Sequence, residues 1–393
     1  MSDRTSLTPA IAAGLLAAFV GFASSFTVIL QGFDAMGASQ AEAASGLMAL
    51  SIAMGLCAIL ISWRTRLPIS IAWSTPGAAL LATSGVAALG EGGFAAAIGA
   101  FIVCGLLLTL AGIWKPLGRW VAAIPAPLAN AMLAGVLLSL CLAPVKAVAA
   151  MPLYGLVIVV TWAVVAKFKR LYAVPAAVIV TVVIIALTTD LSAIQPGSLS
   201  PQPVFVMPVF TIQAIIGIAL PLFIVTMASQ NIPGIAVLNA NGYHPDPSPL
   251  FRDTGIFSLV AAPFGSHAVN LAAITAAICA GPDAHPDKTK RWIAATVAGV
   301  AYLLLGLGAN AATAFIAAAP PILIQAVAGL ALLGAFASSL VAALTDPDSR
   351  EAAAITFLVS ASGLTIHGIG GAFWGLIAGG AVLALTRWKK RGT

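Results

Sequence analysis

The sequence predicts an all-α polytopic membrane protein of fourteen transmembrane segments, arranged as two seven-segment halves inserted in opposite orientations. Three observations carry that prediction: an apolar composition, a one-sided distribution of basic residues, and an internal repeat at a single offset.

Of the 393 residues, 61% are hydrophobic and 8% charged, against about 25% charged in ordinary soluble domains. So few charges cannot clothe a soluble surface, and lipid is the solvent that suits this chain. The formal charge of +6 does not indicate nucleic acid. Its basic residues sit in short clusters between apolar runs, where they orient helices in a bilayer. Cys57, Cys104, Cys141 and Cys279 lie inside apolar segments without CxxC spacing and read as small buried hydrophobes. No metal or other cofactor is expected. The polar start, Met1 to Thr8, is too short for a signal peptide, so the first apolar run is read as a mature helix.

Apolar segments run over 9–31, 43–62, 68–89, 94–113, 120–142, 147–167, 171–189, 209–230, 250–264, 265–281, 291–309, 314–343, 351–366 and 368–387. Most approach the ~20 residues needed to cross a bilayer. The third and tenth do not read as simple spans. With both termini cytoplasmic and one crossing per segment, 17 of the 18 basic residues fall on the cytoplasmic face, leaving only Lys146 outside. A miscount by one segment would scatter them over both faces.

The stretch Asp190 to Pro208 holds four prolines and no Lys or Arg. It reads as an outer linker between a first repeat, 1–189, and a second, 209–393. Seven is odd, so the second half enters upside down. An offset of 194 residues lays Pro127–Gly135 on Pro321–Gly329, Gly105 on Gly299, Gly112 on Gly306, and Ala78–Leu80 on Ala272–Ile274. Shared offsets of this kind mark inverted-repeat transporter folds, so secondary transport is the expected task.

In such folds the ligand sits near mid-membrane between discontinuous helices. The interrupted segments here are Pro68–Gly85 and Pro263–Gly281. In the first, Ser74 or Thr75 can cap a helix with Pro76 in its first turn; in the second, Ser266 and Asn270 are the candidate caps. Half-helices starting in the bilayer direct free N–H groups into a cavity and attract an anion without a fixed Lys or Arg. The alternative is ordinary Pro/Gly kinks. A second polar cluster, Ser229, Gln230 and Asn231 before Pro233 and Gly234, has a counterpart in Ser24, Ser25, Thr27 and Gln31. Any one of these can be a simple interhelical hydrogen bond, but Gln230 and Asn231 beside a helix break lean towards function. Among titratable groups, His267 precedes the second half-helix and His367 joins the last two segments, whereas His244 and His285 fall in loops read as solvated. Asp34, Glu42 and Asp190 read as outer loop residues, and Asp346 and Asp348 as turn and capping residues.

The stretches "SIAWSTPGAALL", "ALPLFIVTMASQNIPGIAVL" and "PFGSHAVNLAAITAAICAG" closely resemble the benzoate/proton symporter (BenE) family, and the likeness runs through nearly the whole chain. The resemblance implies a bacterial inner-membrane carrier that takes up benzoate or a related aromatic carboxylate with protons. It also implies short strands leading into the half-helices of segments three and ten, and a core domain that moves against a gate domain, as in nucleobase and sulfate-type permeases. Nucleobase carriers of this fold have acids where this chain has Ser229 and Val269, so a neutral nucleobase is not the expected substrate.

The expected site places Ser74, Thr75, Asn270 and nearby backbone N–H groups at the carboxylate, Gln230 and Asn231 as added hydrogen-bonding groups, and Trp73 and Phe26 on the ring, with Ser25, Gly77, Ser266 and His267 also expected to bind substrate. His267 is the proton-coupling candidate, unless the proton travels on the substrate. Expected partners are the aromatic carboxylate, protons and membrane lipid; a homo-oligomer is left open. An intramembrane enzyme would need HExxH, a carboxylate cluster or a catalytic dyad, and none is present. An uncoupled anion channel or facilitator on the same fold is the alternative.

Overall fold

The structure is a computed structural model that describes residues 6–114, 116, 124–189, 200–272, 274–366 and 369–391. Asp190, most of the linker and His367 lie outside the described residues. The first half contains α1 (Thr8–Ala23), α2 (Phe26–Ala35), α3 (Gln40–Thr65), β1 (Ile71–Trp73), α4 (Thr75–Ser84), α5 (Gly93–Ile113), α6 (Ala126–Cys141), α7 (Ala143–Ala150), α8 (Pro152–Lys169) and α9 (Ala173–Thr188). The second contains α10 (Ile212–Ala240), β2 (Val269–Leu271) after α11 (Pro247–Ala261), then α12 (Ile274–Ala280), α13 (Trp292–Leu307), α14 (Ala309–Ala318), α15 (Pro321–Leu344), α16 (Arg350–Ala361) and α17 (Gly371–Arg391). A small antiparallel pair, Thr365–Ile366 with Ile369–Gly370, precedes α17.

Proline in the first turn starts α1, α4, α6, α7, α8, α11 and α15, where its missing N–H costs no helical bond. Glu42, expected in an outer loop, instead completes a capping box on α3: its carboxylate accepts from Ser39 N–H at 2.8 Å, and its own N–H donates to Ser39 Oγ at 3.3 Å. Among the described residues, eight helical stretches are long and apolar enough to cross a bilayer. The first segment is not one continuous helix, because α1 and α2 break at Ser24–Ser25. Segment twelve is likewise divided at Ala319–Pro320.

Packing shows the inversion directly. Helix α3 lies on α13, and α5 lies on α11, which is the same contact with the halves exchanged. The pairs α2·α4 and α10·α12, and α8·α9 and α16·α17, repeat the exchange, while α6·α15 and β1·β2 join equivalent elements. The matched glycines sit at these crossings. A Cβ on Gly299 would lie 2.7 Å from Gly55 O, and one on Gly105 would lie 3.0 Å from Leu259 N. Gly299→Leu is therefore expected to cost about 1–3 kcal/mol through overpacking against backbone, read as a lower melting temperature of detergent-purified protein.

Two layers result. The largest apolar cluster is drawn mainly from α1–α5 and α10–α13, and smaller clusters join α6–α9 to α15–α17. Leu153, Val160, Val164, Val183 and Leu187 of the second layer are exposed, as a lipid-facing belt requires. Four arginines, Arg64, Arg66, Arg252 and Arg291, lie in a chain of contacts near the end of α3. Arg64 and Arg252 both pair with the buried Asp253, and the Arg66 guanidinium stands 4.3 Å from the Trp292 ring centroid. Buried Arg291 donates to the carbonyls of Ala280, ending α12, at 2.8 Å and of His285 at 2.7 Å. His285 is thus no solvated loop residue: it is fully buried, with Nε2 3.1 Å from Ser6 O. Beside it, the hydroxyl and N–H of Thr289 donate to Asp287 and hold that carboxyl below its usual range.

Candidate substrate site

At the centre, β1 and β2 pair antiparallel with Ile71 opposite Leu271, Ala72 opposite Asn270 and Trp73 opposite Val269. Each strand precedes the half-helix of one broken segment, and the two breaks are built differently. After β1, the Ser74 hydroxyl accepts the Gly77 N–H at 3.2 Å and caps α4. Thr226 of α10 donates to the same oxygen at 2.8 Å. Gly77 is packed against Leu222 and has no room for a side chain. After β2, the expected capping by Ser266 or Asn270 does not occur, because α12 starts only at Ile274. The strand continues to Leu271, whose N–H donates to Asn231 Oδ1 at 2.9 Å. Asn231 and Gln230 do not sit at a helix break either. They belong to a π turn, Met227–Asn231, inside a helix that continues to Ala240. A π turn inserts one residue without losing the helix, and such turns recur at functional sites.

A cavity of about 400 Å³ opens between the layers beside this centre. The core layer contributes Gly21, Ser24, Ser25, Ala72, Trp73, Thr75, Pro76, Gln230 and Thr275; the second layer contributes Trp162, Arg170, Pro175, Leu330 and Gly334. Of the residues expected at the site, Ser25, Trp73, Thr75 and Gln230 line it. Trp73 is fixed there by its indole N–H, which donates to Ser25 Oγ at 2.8 Å, and Ser25 in turn donates to Gly21 O at 3.1 Å. Phe26 does not line the cavity; it stacks at 5.4 Å on Phe22, which meets the Trp73 ring at 5.3 Å. Ser74, Gly77 and Asn231 stand behind the wall and hold its backbone.

His267 is set apart from the cavity. Its ring lies 5.9 Å from Phe33 and 6.2 Å from Phe101, its Nδ1 accepts the Ala268 N–H at 2.5 Å, and its Nε2 has no partner among the described residues. Ser266 is also buried, and its hydroxyl has no partner among the described residues. Asn270 is fully buried, and both of its side-chain polar atoms lack a partner among the described residues. It stands opposite Ala72, a cavity residue, and opposed residues share one face of a strand pair. A buried amide without partners is costly, so this position is suited to meeting a ligand or water.

Two further cavities, of about 390 Å³ and 270 Å³, open between the same layers near Gln31, Asp34 and Gln325. The larger reaches Leu80–Ser84 through Leu80, Ala82, Thr83 and Ser84, so α4 points its N-terminus at one cavity and its C-terminus at another. Sequence reasoning missed Thr275, Trp162 and Arg170 as lining residues. Thr275 sits in an Ala-rich half-helix, and Trp162 in a run with no polar marker; Arg170 had registered only as a topology signal.

Residues 5–385 match the family described as benzoate membrane transport protein, BenE. The chain belongs to the BenE family. It is a multi-pass membrane transport protein and not an enzyme. Over 375 residues this BenE protein is 46% identical to the "Inner membrane protein YdcO" of Escherichia coli (strain K12), covering 95% of this chain and 94% of that one. It is 32% identical over 371 residues to the "Benzoate membrane transport protein" of Acinetobacter baylyi, covering 93% and 92%. The fold is shared with the transmembrane domain of a cyanobacterium bicarbonate transporter, BicA, at TM-score 0.63 and 16% identity, covering 95% of this chain and 97% of that one. It is shared also with SLC26A9 at TM-score 0.64 and 14% identity, covering 98% and 66%. These likenesses bear on the fold alone, and they agree with an inverted seven-plus-seven architecture.

Proposed function

We propose that this BenE protein carries benzoate or a related aromatic carboxylate with protons across the bacterial inner membrane, its basic end in the cytoplasm. The observation that carries the reading is the cavity itself. Two indole rings, Trp73 and Trp162, offer aromatic walls, while Thr75 at the start of α4 and Gln230 offer neutral donors, and no Asp, Glu or His lines it among the described residues. The names of the Acinetobacter and Escherichia relatives support the substrate and the membrane. In this reading the core layer, with Ser74 bound to Thr226 and Leu271 bound to Asn231, shifts as a body against the second, or gate, layer. The 190–208 stretch links the halves.

Among the described residues no acid or imidazole lines the cavity, so the proton enters on the substrate as the neutral acid and leaves it at the basic end, where the benzoate anion forms. Purified protein in liposomes is expected to accumulate labelled benzoate when the outside is acid, above protein-free vesicles, and an ionophore is expected to abolish the accumulation. A gradient that drives no uptake overturns the proposal; equilibration without accumulation favours a facilitator. His267→Gln is expected to retain gradient-driven uptake, and its loss in folded protein would return the coupling role to His267.

A further inference from the structure

Among the described residues, Arg170 is the one ionised side chain that lines the central cavity. It stands in the turn between α8 and α9, after Lys167 and Lys169. Topology alone explains a basic cluster at this end, but it does not explain why only the third member reaches the cavity. The geometry does. Lys169 has φ −147° and ψ 95°, so the helix ends there and the chain turns. The turn brings the Arg170 guanidinium over α15, where Nη2 lies 3.8 Å from the position a Cβ would take on Gly334. Arg170 makes no ion pair among the described residues. The opposite cavity differs: it contains Lys146 and also Asp34, so its fixed charges offset each other.

We infer that Arg170 is a specificity residue for the substrate's negative charge, holding the carboxylate at the basic end of the cavity after it leaves Thr75. This rests on the aromatic-carboxylate reading above. Neutral donors on the core and a guanidinium on the gate divide the work. The core groups bind the carboxyl group at mid-depth, and the gate supplies a planar, permanently charged partner suited to the carboxylate formed when the proton leaves. The prediction concerns charge, because a neutral aromatic amide of the same shape gains little from a guanidinium.

The test uses full-length purified protein in detergent, with tryptophan fluorescence as readout because Trp73 and Trp162 line the cavity. Titration with benzoate is expected to give a dissociation constant about tenfold weaker in Arg170→Gln than in the wild type, the size of one charge-assisted hydrogen bond. Arg170→Lys is expected to recover part of the loss. Benzamide is expected to bind both proteins alike, and Lys169→Gln is expected to bind benzoate as the wild type does. Unchanged benzoate affinity in Arg170→Gln overturns the role and leaves the transport reading intact. Equal loss of benzoate and benzamide binding assigns Arg170 a structural role and overturns it too. A wild-type protein that responds to neither benzoate nor benzamide overturns both readings together.

Discussion

Trp73→Ala is expected to produce the largest loss of stability of any single change at the site, about 3–5 kcal/mol for removing a buried indole. Trp73 is 2% exposed, and its ring leans on Phe22 while its N–H donates to Ser25. Truncation empties the space between β1 and the α1–α2 break and removes the N–H that Ser25 Oγ accepts, while Ser25 still donates to Gly21 O. Trp73→Phe separates the two contributions. It keeps most of the packing and removes the hydrogen bond, so a loss of about 1 kcal/mol is expected. Urea or thermal unfolding in detergent measures both, and comparable losses in the two variants would show that the hydrogen bond, not the packing, dominates.

Asn231→Leu is expected to have the second largest effect, and it falls on uptake more than on folding. The Asn231 carboxamide accepts from Leu271 N–H and so positions the end of β2 from a helix of the same layer. Leucine leaves that buried N–H without an acceptor, at a cost of about 1–3 kcal/mol. The strand can recover the bond only by shifting, and a shift moves the start of α12 and Thr275 in the cavity wall. Uptake of labelled benzoate is expected to fall about tenfold or more, since small misplacements of binding groups are costly. Asn231→Asp retains the acceptor oxygen and is expected to be milder. If Asn231→Leu transports at the wild-type rate, the π turn does not position the site.

Much of the fold was legible because few physical constraints fix it. Backbone groups in lipid must be bonded internally, so apolar runs became helices, and one-sided basic clusters gave their orientation. Segment three was readable at residue level because Ser74 and Pro76 form a complete start signal. Segment ten was not: Ser266 has the right chemistry for a cap, but pairing with β1 holds the chain extended to Leu271. Pro233–Gly234 suggested a break, whereas the helix absorbs the strain upstream in a π turn. The α1–α2 break was visible only as the pair Ser24–Ser25, which also occurs in unbroken helices. The gate side of the cavity has mostly apolar residues, and composition cannot separate an apolar wall facing a ligand from one facing lipid.

The strand pair also has a consequence for synthesis. When Trp73 leaves the ribosome, the partner for its backbone does not yet exist, and it appears only when the chain has been made as far as Val269. Until then the nascent first half carries an extended segment with unpaired N–H and C=O groups, which hydrocarbon does not tolerate. The early half must therefore wait near the aqueous face or inside the insertion machinery, and the centre closes late, as a post-insertion step. A chain cut short before β2 would hold most of its helices and still lack the partner that closes its centre.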